Sequence, residues 1–182
     1  MTTTVSPTTV SPTTLSTTSE TPTAVSPVRA YDPTPRLADF SAAGRWKGRL
    51  STSVEARRFG FTVAEPTSLG GTDEAANPIE YLLGSLAGCV SVVVETVAGE
   101  LDVPVAAFES HATGTLDIRG FLGTADVSPH FQQLTLTLAL TTSVPEAELA
   151  DLKDQVRRRC PLLNLLTDAG IDLREVWVVR RP

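Results

Sequence analysis

Residues 77–99 constrain the fold of this 182-residue chain more than any other segment, because they predict one long helix that is apolar on nearly every side. Asn77, Pro78 and Glu80 occupy the N-cap, N1 and N3 positions of a start that resembles a capping box. From Tyr81 to Val94 the apolar residues surround the helix, which predicts burial inside the domain or at a subunit interface. The fold must therefore cover this helix, with its own elements or with another subunit.

Two glycines interrupt this helix beside a cysteine. Gly84 and Gly88 each cost about 1 kcal/mol relative to alanine in a helix interior. We therefore expect another backbone or a substrate to approach closely beside Cys89. Tyr81, Ser85 and Cys89 are spaced four residues apart and form one polar stripe along the same helix.

Cys89 and Cys160 are the only two cysteines of the chain. The N-terminus has no basic segment followed by an apolar core, so we expect no secretory signal and a cytoplasmic location. In that compartment a cysteine pair is more often catalytic, redox-sensing or metal-binding than a structural disulfide. His111 and His130 do not complete a ligand spacing of the zinc type with these cysteines. The pattern predicts redox chemistry, provided that the fold brings the two thiols together.

Charge and hydropathy argue against two further classes of protein. A net charge of -6 and a pI near 4.9 disfavour a nucleic-acid binder, which needs a basic face, and the arginines at 157–159 form only a local cluster. The longest uncharged stretch that is also apolar lies between Glu80 and Glu95 and is shorter than the roughly 18 residues of a membrane span. We therefore expect a soluble chain with no membrane segment.

The composition divides the chain into two parts. Thr, Ser and Pro supply 19 of the first 26 residues, so residues 1–30 are expected to form a disordered tail. This tail is either a solvated extension or a tether or modification site. The remainder, residues 31–182, fits one domain.

Alternating and helical patterns predict an α+β domain. Strands are predicted at 45–53, 55–64, 111–121, 131–142 and 174–180. The loop at 65–76, rich in Gly, Pro, Thr and Asp, precedes the cysteine helix and is a candidate for lining a site. Ser143 and Glu146 predict a second capping box, and the helix that follows should break at Cys160, because Pro161 disfavours helical geometry before it, then restart and end near Gly170.

The local sequence predicts different chemistry for the two thiols. Cys160 follows three arginines and opens a helix, and both features lower a thiol pKa, so it is expected to be the better thiolate. Cys89 lies in apolar surroundings, which raise a thiol pKa unless the fold brings a cation to it. Buried cysteines without any reactivity are the alternative for both positions.

Two cysteine motifs together resemble those of the OsmC/Ohr family of thiol peroxidases. They are NPIEYLLGSLAGCV at 77–90 and RCPLLNLL at 159–166, and GTLDIRGFLG at 114–123 is similar to the OsmC-like branch. The resemblance covers about residues 45–180. It implies an intertwined α+β homodimer in which antiparallel sheets pack on a central helix that carries the cysteine, with two sites at the subunit interface.

The resemblance also implies a mechanism. Cys89 attacks an organic hydroperoxide or hydrogen peroxide, Cys160 resolves the sulfenic acid to a disulfide, and an external dithiol, lipoyl-linked or small, reduces it without an organic cofactor. In the family an arginine and a glutamate activate the attacking cysteine. Arg49 is the first candidate for the arginine, with Arg45, Arg57 and Arg58 behind it.

Glu80 is the candidate glutamate, but the motif departs from that of the Ohr branch. Ile79 stands where the Ohr glutamate lies, directly after the proline. Nine residues at 100° each place Glu80 about half a turn away from Cys89, so it is either an activating residue or only a helix cap.

Three other interpretations remain open at the level of the sequence. One is a non-catalytic dimer that binds an apolar ligand or a protein, with structural cysteines and a pocket beside Gly84 and Gly88. Another is a thiol redox sensor that uses the same disulfide. The third keeps the peroxidase but lets Cys160 attack first. An arginine near Cys89 favours the enzyme, and a sealed apolar environment around both thiols favours the binder.

Overall fold

The structure is a computed structural model that describes residues 33–182. The tail predicted at 1–30 lies outside the described residues. The elements are, in chain order, β1 (Ala43–Gly48), β2 (Ser51–Ala56), β3 (Phe59–Ala64), α1 (Pro78–Glu100), β4 (Ala107–Leu116), α2 (Ile118–Leu122), β5 (Phe131–Thr141), α3 (Ala150–Arg159), α4 (Pro161–Asp168) and β6 (Asp172–Arg180). The predicted α+β class is confirmed.

The first sheet contains three antiparallel strands in the order β1-β2-β3, whereas the sequence predicted two strands at 45–53 and 55–64. The prediction was wrong because it overlooked the turns. Gly48, Arg49 and Leu50 have positive φ angles of 92°, 48° and 57°, and Arg57 has a φ of 57°. These left-handed residues reverse the chain twice and divide the predicted strands.

The second sheet has the order β4-β5-β6, and one of its pairs departs from the expected antiparallel arrangement. β4 pairs with β5 antiparallel, but β6 pairs with β5 in parallel. A parallel neighbour requires a long crossover connection. α3 and α4 form that crossover and bring Cys160 across the sheet to α1.

Two predicted boundaries change for local reasons. The strand predicted at 111–121 ends at Leu116, because the Asp117 side chain accepts a hydrogen bond from the Arg119 amide and caps α2. The capping box predicted at Ser143 and Glu146 does not form, and a 3₁₀ turn at Glu146–Glu148 precedes α3 instead. The predicted break at Cys160 is confirmed, with α4 starting at Pro161.

α1 begins as predicted. The Asn77 Oδ1 atom accepts from the Glu80 amide at 2.8 Å, and a Glu80 carboxylate oxygen accepts from the Asn77 amide at 2.8 Å. One face of the helix packs against β4, α3 and α4, and side chains of β5 complete the core beneath it. That core contains Leu86, Val90, Val94, Val97, Leu134, Leu136, Leu138, Leu152, Val156 and Leu163.

The opposite face of α1 is uncovered in the single chain. Gly84, Ser85, Gly88 and Val92 are exposed, and 64% of the Val92 surface is accessible. By length and composition α1 would also qualify as a membrane span, contrary to the expectation from the sequence, and only 28% of its most apolar window is buried. The core helix of a soluble protein meets the same two criteria.

Candidate functional site

The fold brings the two cysteines together. The Sγ atoms of Cys89 and Cys160 are 3.4 Å apart, although 71 positions separate them in sequence. Both thiols are free, Cys89 is partly exposed, and the Cys160 side chain has no accessible surface. The proximity that redox chemistry requires is therefore present, and one thiol of the pair faces outward while the other is enclosed.

Three elements hold this pair in place. α1 carries Cys89 on the edge of its buried face, next to the core residues Leu86 and Val90. The Ser110 hydroxyl on β4 donates to the Ala87 carbonyl at 3.1 Å and ties α1 to the second sheet two residues before Cys89. Cys160 lies at the break between α3 and α4 with extended backbone angles, φ -79° and ψ 109°. The break ends α3 and leaves the thiol directed at α1.

The expectation that Cys160 is the better thiolate is wrong. Burial raises the pKa of Cys160 to about 11, and the hydrogen bonds from the backbone amides of Leu163 and Leu162 offset only part of this effect. These two amides are the helix N-terminus that the sequence predicted. Desolvation of the charged form outweighs them because the side chain is enclosed in the apolar core.

The three arginines before Cys160 do not reach its thiol. Arg157 donates to Glu175 at 2.7 Å, Arg158 pairs with Asp154 at 2.8 Å, and Arg159 donates to Glu100 at 3.0 Å. Each cation is thus held by a carboxylate of β6, α3 or α1. The helical turn that buries Cys160 directs its neighbours outward.

Neither candidate activating residue, Glu80 or Arg49, forms a hydrogen bond with Cys89 or Cys160 in the described part of the chain. The Glu80 carboxylate is exposed and caps α1, and nine residues of helix separate it from Cys89, about 13 Å along the axis. Arg49 lies in the β1–β2 turn, and no other residue of 33–182 forms a hydrogen bond or an ion pair with its side chain. Within one chain, Glu80 is therefore used as a cap and Arg49 is not engaged.

The alternative arginines are also on the first sheet. Arg57 and Arg58 lie in the β2–β3 turn and contact the Phe59 ring, with guanidinium carbons 5.1 Å and 4.6 Å from its centroid. Arg45 is exposed on β1. In the described part of the chain, the only hydrogen-bond partner of the Cys89 thiol is Cys160.

Tyr81 and Ser85, which share the stripe of Cys89, have separate environments. The Tyr81 ring packs on the Phe61 ring of β3 with centroids 4.8 Å apart, and this contact joins the first sheet to α1. Ser85 is exposed. The stripe therefore does not form one polar cluster around Cys89 in a single chain.

A cavity of about 610 Å³ lies at the N-terminal end of α1 and not beside Gly84 and Gly88. It is mostly apolar and is lined by residues of the 65–76 loop, the N-cap and first turn of α1, β4, α2 and the loop before β5, namely Glu65, Leu69, Asn77, Pro78, Ile79, Gly114, Thr115, Leu116, Ile118, Phe121 and Pro129. Glu65 and Leu69 are the residues of the 65–76 loop that line this cavity, and the role of the loop in a functional site stays a prediction. Ten residues of helix separate Ile79 from Cys89, about 15 Å, so the cavity is distinct from the thiol pair.

Sequence reasoning missed Asn164, which follows Cys160 by one helical turn. Its side-chain amide donates to the carbonyls of Arg157, Arg158 and Cys160. The available signal was a side-chain donor, Asn164, placed four residues after Cys160, where the following proline interrupts the helix.

No group of three His, Cys, Asp or Glu side chains within residues 33–182 is arranged to hold a metal ion.

The geometry of the thiol pair agrees with the motifs on α1 and α4, and a family comparison decides the relationship. The sequence profile of the OsmC family, described as OsmC-like protein, matches residues 71–175. The chain belongs to the OsmC family. The recognition based on the two cysteine motifs is confirmed, although a sequence comparison with curated proteins found no match.

Solved structures of OsmC-family proteins share the fold. An OsmC-like protein from Mycoplasma pneumoniae is 17% identical with a TM-score of 0.69, covering 79% of this chain and 98% of its own. An organic hydroperoxide resistance protein OsmC from Legionella pneumophila is 20% identical with a TM-score of 0.60, covering 79% and 99%. An organic hydroperoxide resistance protein from Elizabethkingia anophelis is 19% identical with a TM-score of 0.60, covering 80% and 99%. At these identities the likeness establishes the fold alone.

Proposed function

We propose that this OsmC-family chain is a thiol-dependent peroxidase that reduces organic hydroperoxides or hydrogen peroxide through Cys89 and Cys160. The observation that carries the proposal is the 3.4 Å separation of the two sulfurs, one partly exposed and one enclosed. A pair of free thiols in contact is arranged for disulfide closure. The names of the organic hydroperoxide resistance proteins that share the fold support a hydroperoxide as the substrate.

The proposed cycle has three balanced steps. The Cys89 thiolate attacks the distal peroxide oxygen, the O–O bond breaks, the alkoxide takes a proton, and Cys89 becomes a sulfenic acid. The Cys160 sulfur then attacks the Cys89 sulfur, the S–O bond breaks, and hydroxide leaves as water with the Cys160 proton. An external dithiol reduces the disulfide by two exchange reactions and is itself oxidised.

Cys89 is the attacking residue in this proposal, and the reverse order is disfavoured. A peroxide can reach the partly exposed Cys89, whereas the Cys160 side chain has no accessible surface. Burial also raises the pKa of Cys160 to about 11, so the enclosed residue is seldom a thiolate at neutral pH. Cys160 needs neither access to solvent nor early ionisation to resolve a sulfenic acid that lies in contact with it.

A second copy of the chain is the proposed cover for the exposed face of α1. A Cβ atom added at Gly84 or Gly88 would meet nothing within 4 Å, so these glycines leave open space on the helix surface. Open space next to Val92 on an apolar helix is suited to the close approach of another backbone. We propose a homodimer in which this face lies at the subunit interface.

Arg49 is the proposed source of the activating cation, supplied across that interface. The β1–β2 turn that carries Arg49 extends from a sheet whose Trp46 side chain is 77% exposed, so this sheet also has an apolar surface that a second subunit could bury.

Mixing Cys89→Ser and Arg49→Ala subunits tests whether Arg49 acts across the interface. Each variant is expected to be inactive alone, and heterodimers should regain one intact site, which a cation within the same chain could not restore.

The reductant is proposed to be an external dithiol, lipoyl-linked or small, in the cytoplasm. Only the partly exposed Cys89 sulfur of the disulfide is open to an incoming thiolate. A dithiol completes the second exchange within the same encounter, without releasing a mixed disulfide. We propose no nucleic-acid partner and no organic cofactor for this cycle.

The test is mass spectrometry of the reduced protein after stoichiometric cumene hydroperoxide, with Cys89→Ser and Cys160→Ser as matched variants. We expect a rapid disulfide between Cys89 and Cys160 in the wild type and a trappable sulfenic acid on Cys89 in Cys160→Ser. Cys89→Ser should leave Cys160 reduced. If both wild-type thiols stay reduced for minutes, the peroxidase proposal is wrong. Rapid disulfide formation without turnover by any dithiol would instead favour a redox sensor.

The mostly apolar cavity near Ile79 favours a second candidate, a non-catalytic protein that binds an apolar ligand. Its volume of about 610 Å³ lies within the range of small-molecule sites. Ile79→Trp should fill it and abolish binding of a fluorescent fatty acid, with Val92→Ala as the control outside the cavity. Binding that persists in Ile79→Trp would rule out this site.

A further inference from the structure

The break between α3 and α4 leaves backbone carbonyls without their usual donors. Pro161 has no amide hydrogen, so the Arg157 carbonyl lacks the partner that an uninterrupted helix would provide. The next amides, of Leu162 and Leu163, hydrogen bond the Cys160 thiol instead of continuing α3. The Cys160 amide still donates to the Val156 carbonyl at 3.1 Å, but the carbonyls of Arg157 and Arg158 need a donor from outside the α3 ladder.

The Asn164 side chain supplies the missing donor. Its Nδ2 atom lies 2.8 Å from the Cys160 carbonyl, 2.9 Å from the Arg157 carbonyl and 3.2 Å from the Arg158 carbonyl. Its own amide donates to the Cys160 carbonyl at 3.1 Å as the first bond of α4. Asn164 thus joins the last turn of α3, the break and the first turn of α4.

We propose that Asn164 is a positioning residue that fixes the backbone at the break and so holds Cys160 against Cys89 for disulfide closure. This inference rests on the proposed peroxidase function for its biological meaning. The two sulfurs are 3.4 Å apart and approach to about 2 Å in a disulfide, so a small shift closes the bond. Without the amide, the carbonyls turn toward water and the Cys160 backbone samples orientations that direct the thiol away.

The consequence is selective for one step of the cycle. Attack on peroxide depends on Cys89, which Asn164 does not contact. Closure depends on the orientation of Cys160 and therefore on the three carbonyls that Asn164 binds. Loss of the Asn164 amide should slow the attack of Cys160 on the Cys89 sulfenic acid. The sulfenic acid would then persist, and further peroxide could oxidise it to the sulfinic acid.

Three variants separate positioning from general stability. Asn164→Asp keeps the shape of the side chain but replaces the donor with a carboxylate that repels the carbonyls, and Asn164→Ala removes the donor with less risk to folding. Thr167→Val is the control, since Thr167 makes the same kind of bond on α4, from its hydroxyl to the Leu163 carbonyl at 2.9 Å. Thr167 does not contact the break, so its loss tests stability alone.

Two readouts are measured on each folded variant. The first is the equilibrium of disulfide formation in glutathione redox buffers, which gives the effective concentration of Cys160 at Cys89 without any peroxide. The second is rapid-quench mass spectrometry after cumene hydroperoxide, which gives the rates of sulfenic acid formation and closure. We expect both Asn164 variants to lower the effective concentration and the closure rate at least tenfold, with sulfenic acid formation within twofold of wild type.

The outcomes distinguish this inference from the peroxidase proposal. If peroxide leaves the thiols reduced while the glutathione equilibrium still depends on Asn164, the function is wrong and the positioning role stands. An effective concentration within twofold of wild type in Asn164→Ala would overturn the positioning role. An equal loss in Thr167→Val would overturn it too, because the effect would then follow stability.

Discussion

The Cys160 thiol should titrate well above neutral pH, although three arginines precede it. Burial raises its pKa from 9.0 to about 11. Two pKa units correspond to about 2.7 kcal/mol of preference for the neutral thiol. At pH 7, about one Cys160 side chain in ten thousand would then be ionised, roughly a hundredfold fewer than for an unperturbed thiol. The enclosed cysteine is therefore a poor first nucleophile.

The measurement is a pH titration of thiolate absorbance in Cys89→Ser, which leaves Cys160 as the only thiol. The neighbouring Cys89 raises the pKa only as a lesser contribution, so burial should keep the midpoint above 9 in this variant. Reaction rates with a small alkylating reagent give an independent titration. A midpoint at or below about 8.5, the usual value for a free cysteine, would refute the reasoning and restore Cys160 as a candidate attacker.

The same pKa shift makes a prediction about stability. Because the folded state raises the thiol pKa, it keeps a proton that the unfolded chain releases, and this contribution is complete below about pH 9. The difference in unfolding free energy between Cys89→Ser and Cys89→Ser/Cys160→Ala should therefore shrink by up to about 2.7 kcal/mol as the pH rises to about 11. Denaturant unfolding across this range measures it, and a constant difference would contradict the burial argument.

Three further predictions concern the exposed thiol, the exposed helix face and the cap. When the disulfide, made with diamide, meets a stoichiometric monothiol, peptide mass spectrometry should find the mixed disulfide on Cys89, and a mixed disulfide on Cys160 would show that the enclosure opens. Gly88→Leu should dissociate the proposed dimer in sedimentation experiments; if the protein is monomeric, the change should instead stabilise α1 by up to about 1 kcal/mol. Glu80→Gln can still cap, so its melting temperature should match the wild type, whereas Asn77→Ala should cost about 1 kcal/mol. A large loss of peroxidase rate in Glu80→Gln alone would show that the carboxylate does more than cap.

The predictable parts of the structure are those set by neighbours in sequence. Asn77 and Glu80 form the capping box that their spacing predicts, and the helix breaks at Cys160 because Pro161 follows it. Turns were less predictable. Arg49 and Leu50 adopt positive φ angles that neither residue type favours, so Gly48 was the one local sign of the turn between β1 and β2.

The pKa of Cys160 shows how a local rule fails when burial opposes it. Leu152, Val156 and Cys160 are spaced four residues apart, which places them on one helical face, and all three are buried. The same helical phase directs the arginines at 157–159 away from the thiol and into pairs with Glu175, Asp154 and Glu100. The arginines next to Cys160 in sequence therefore did not predict its pKa, whereas the helical periodicity predicted its burial and so the direction of the pKa shift.

The face of α1 around Gly88 and the candidate cation on Arg49 raise the same structural question. One chain leaves an apolar helix face uncovered beside Cys89, and it leaves Arg49 on a turn without a partner among residues 33–182. In the proposed dimer, a second copy of the chain would cover the exposed face of α1 and would bring its Arg49 to that face. One interface would thus account for both the uncovered helix and the unpartnered arginine. The glycines then serve the interface and not the interior, because a Cβ at Gly88 meets nothing within its own chain. On this argument the groups that attack peroxide, Cys89 and the activating arginine, come from two subunits of the proposed dimer. The groups that resolve the sulfenic acid, Cys160 and Asn164, come from one chain.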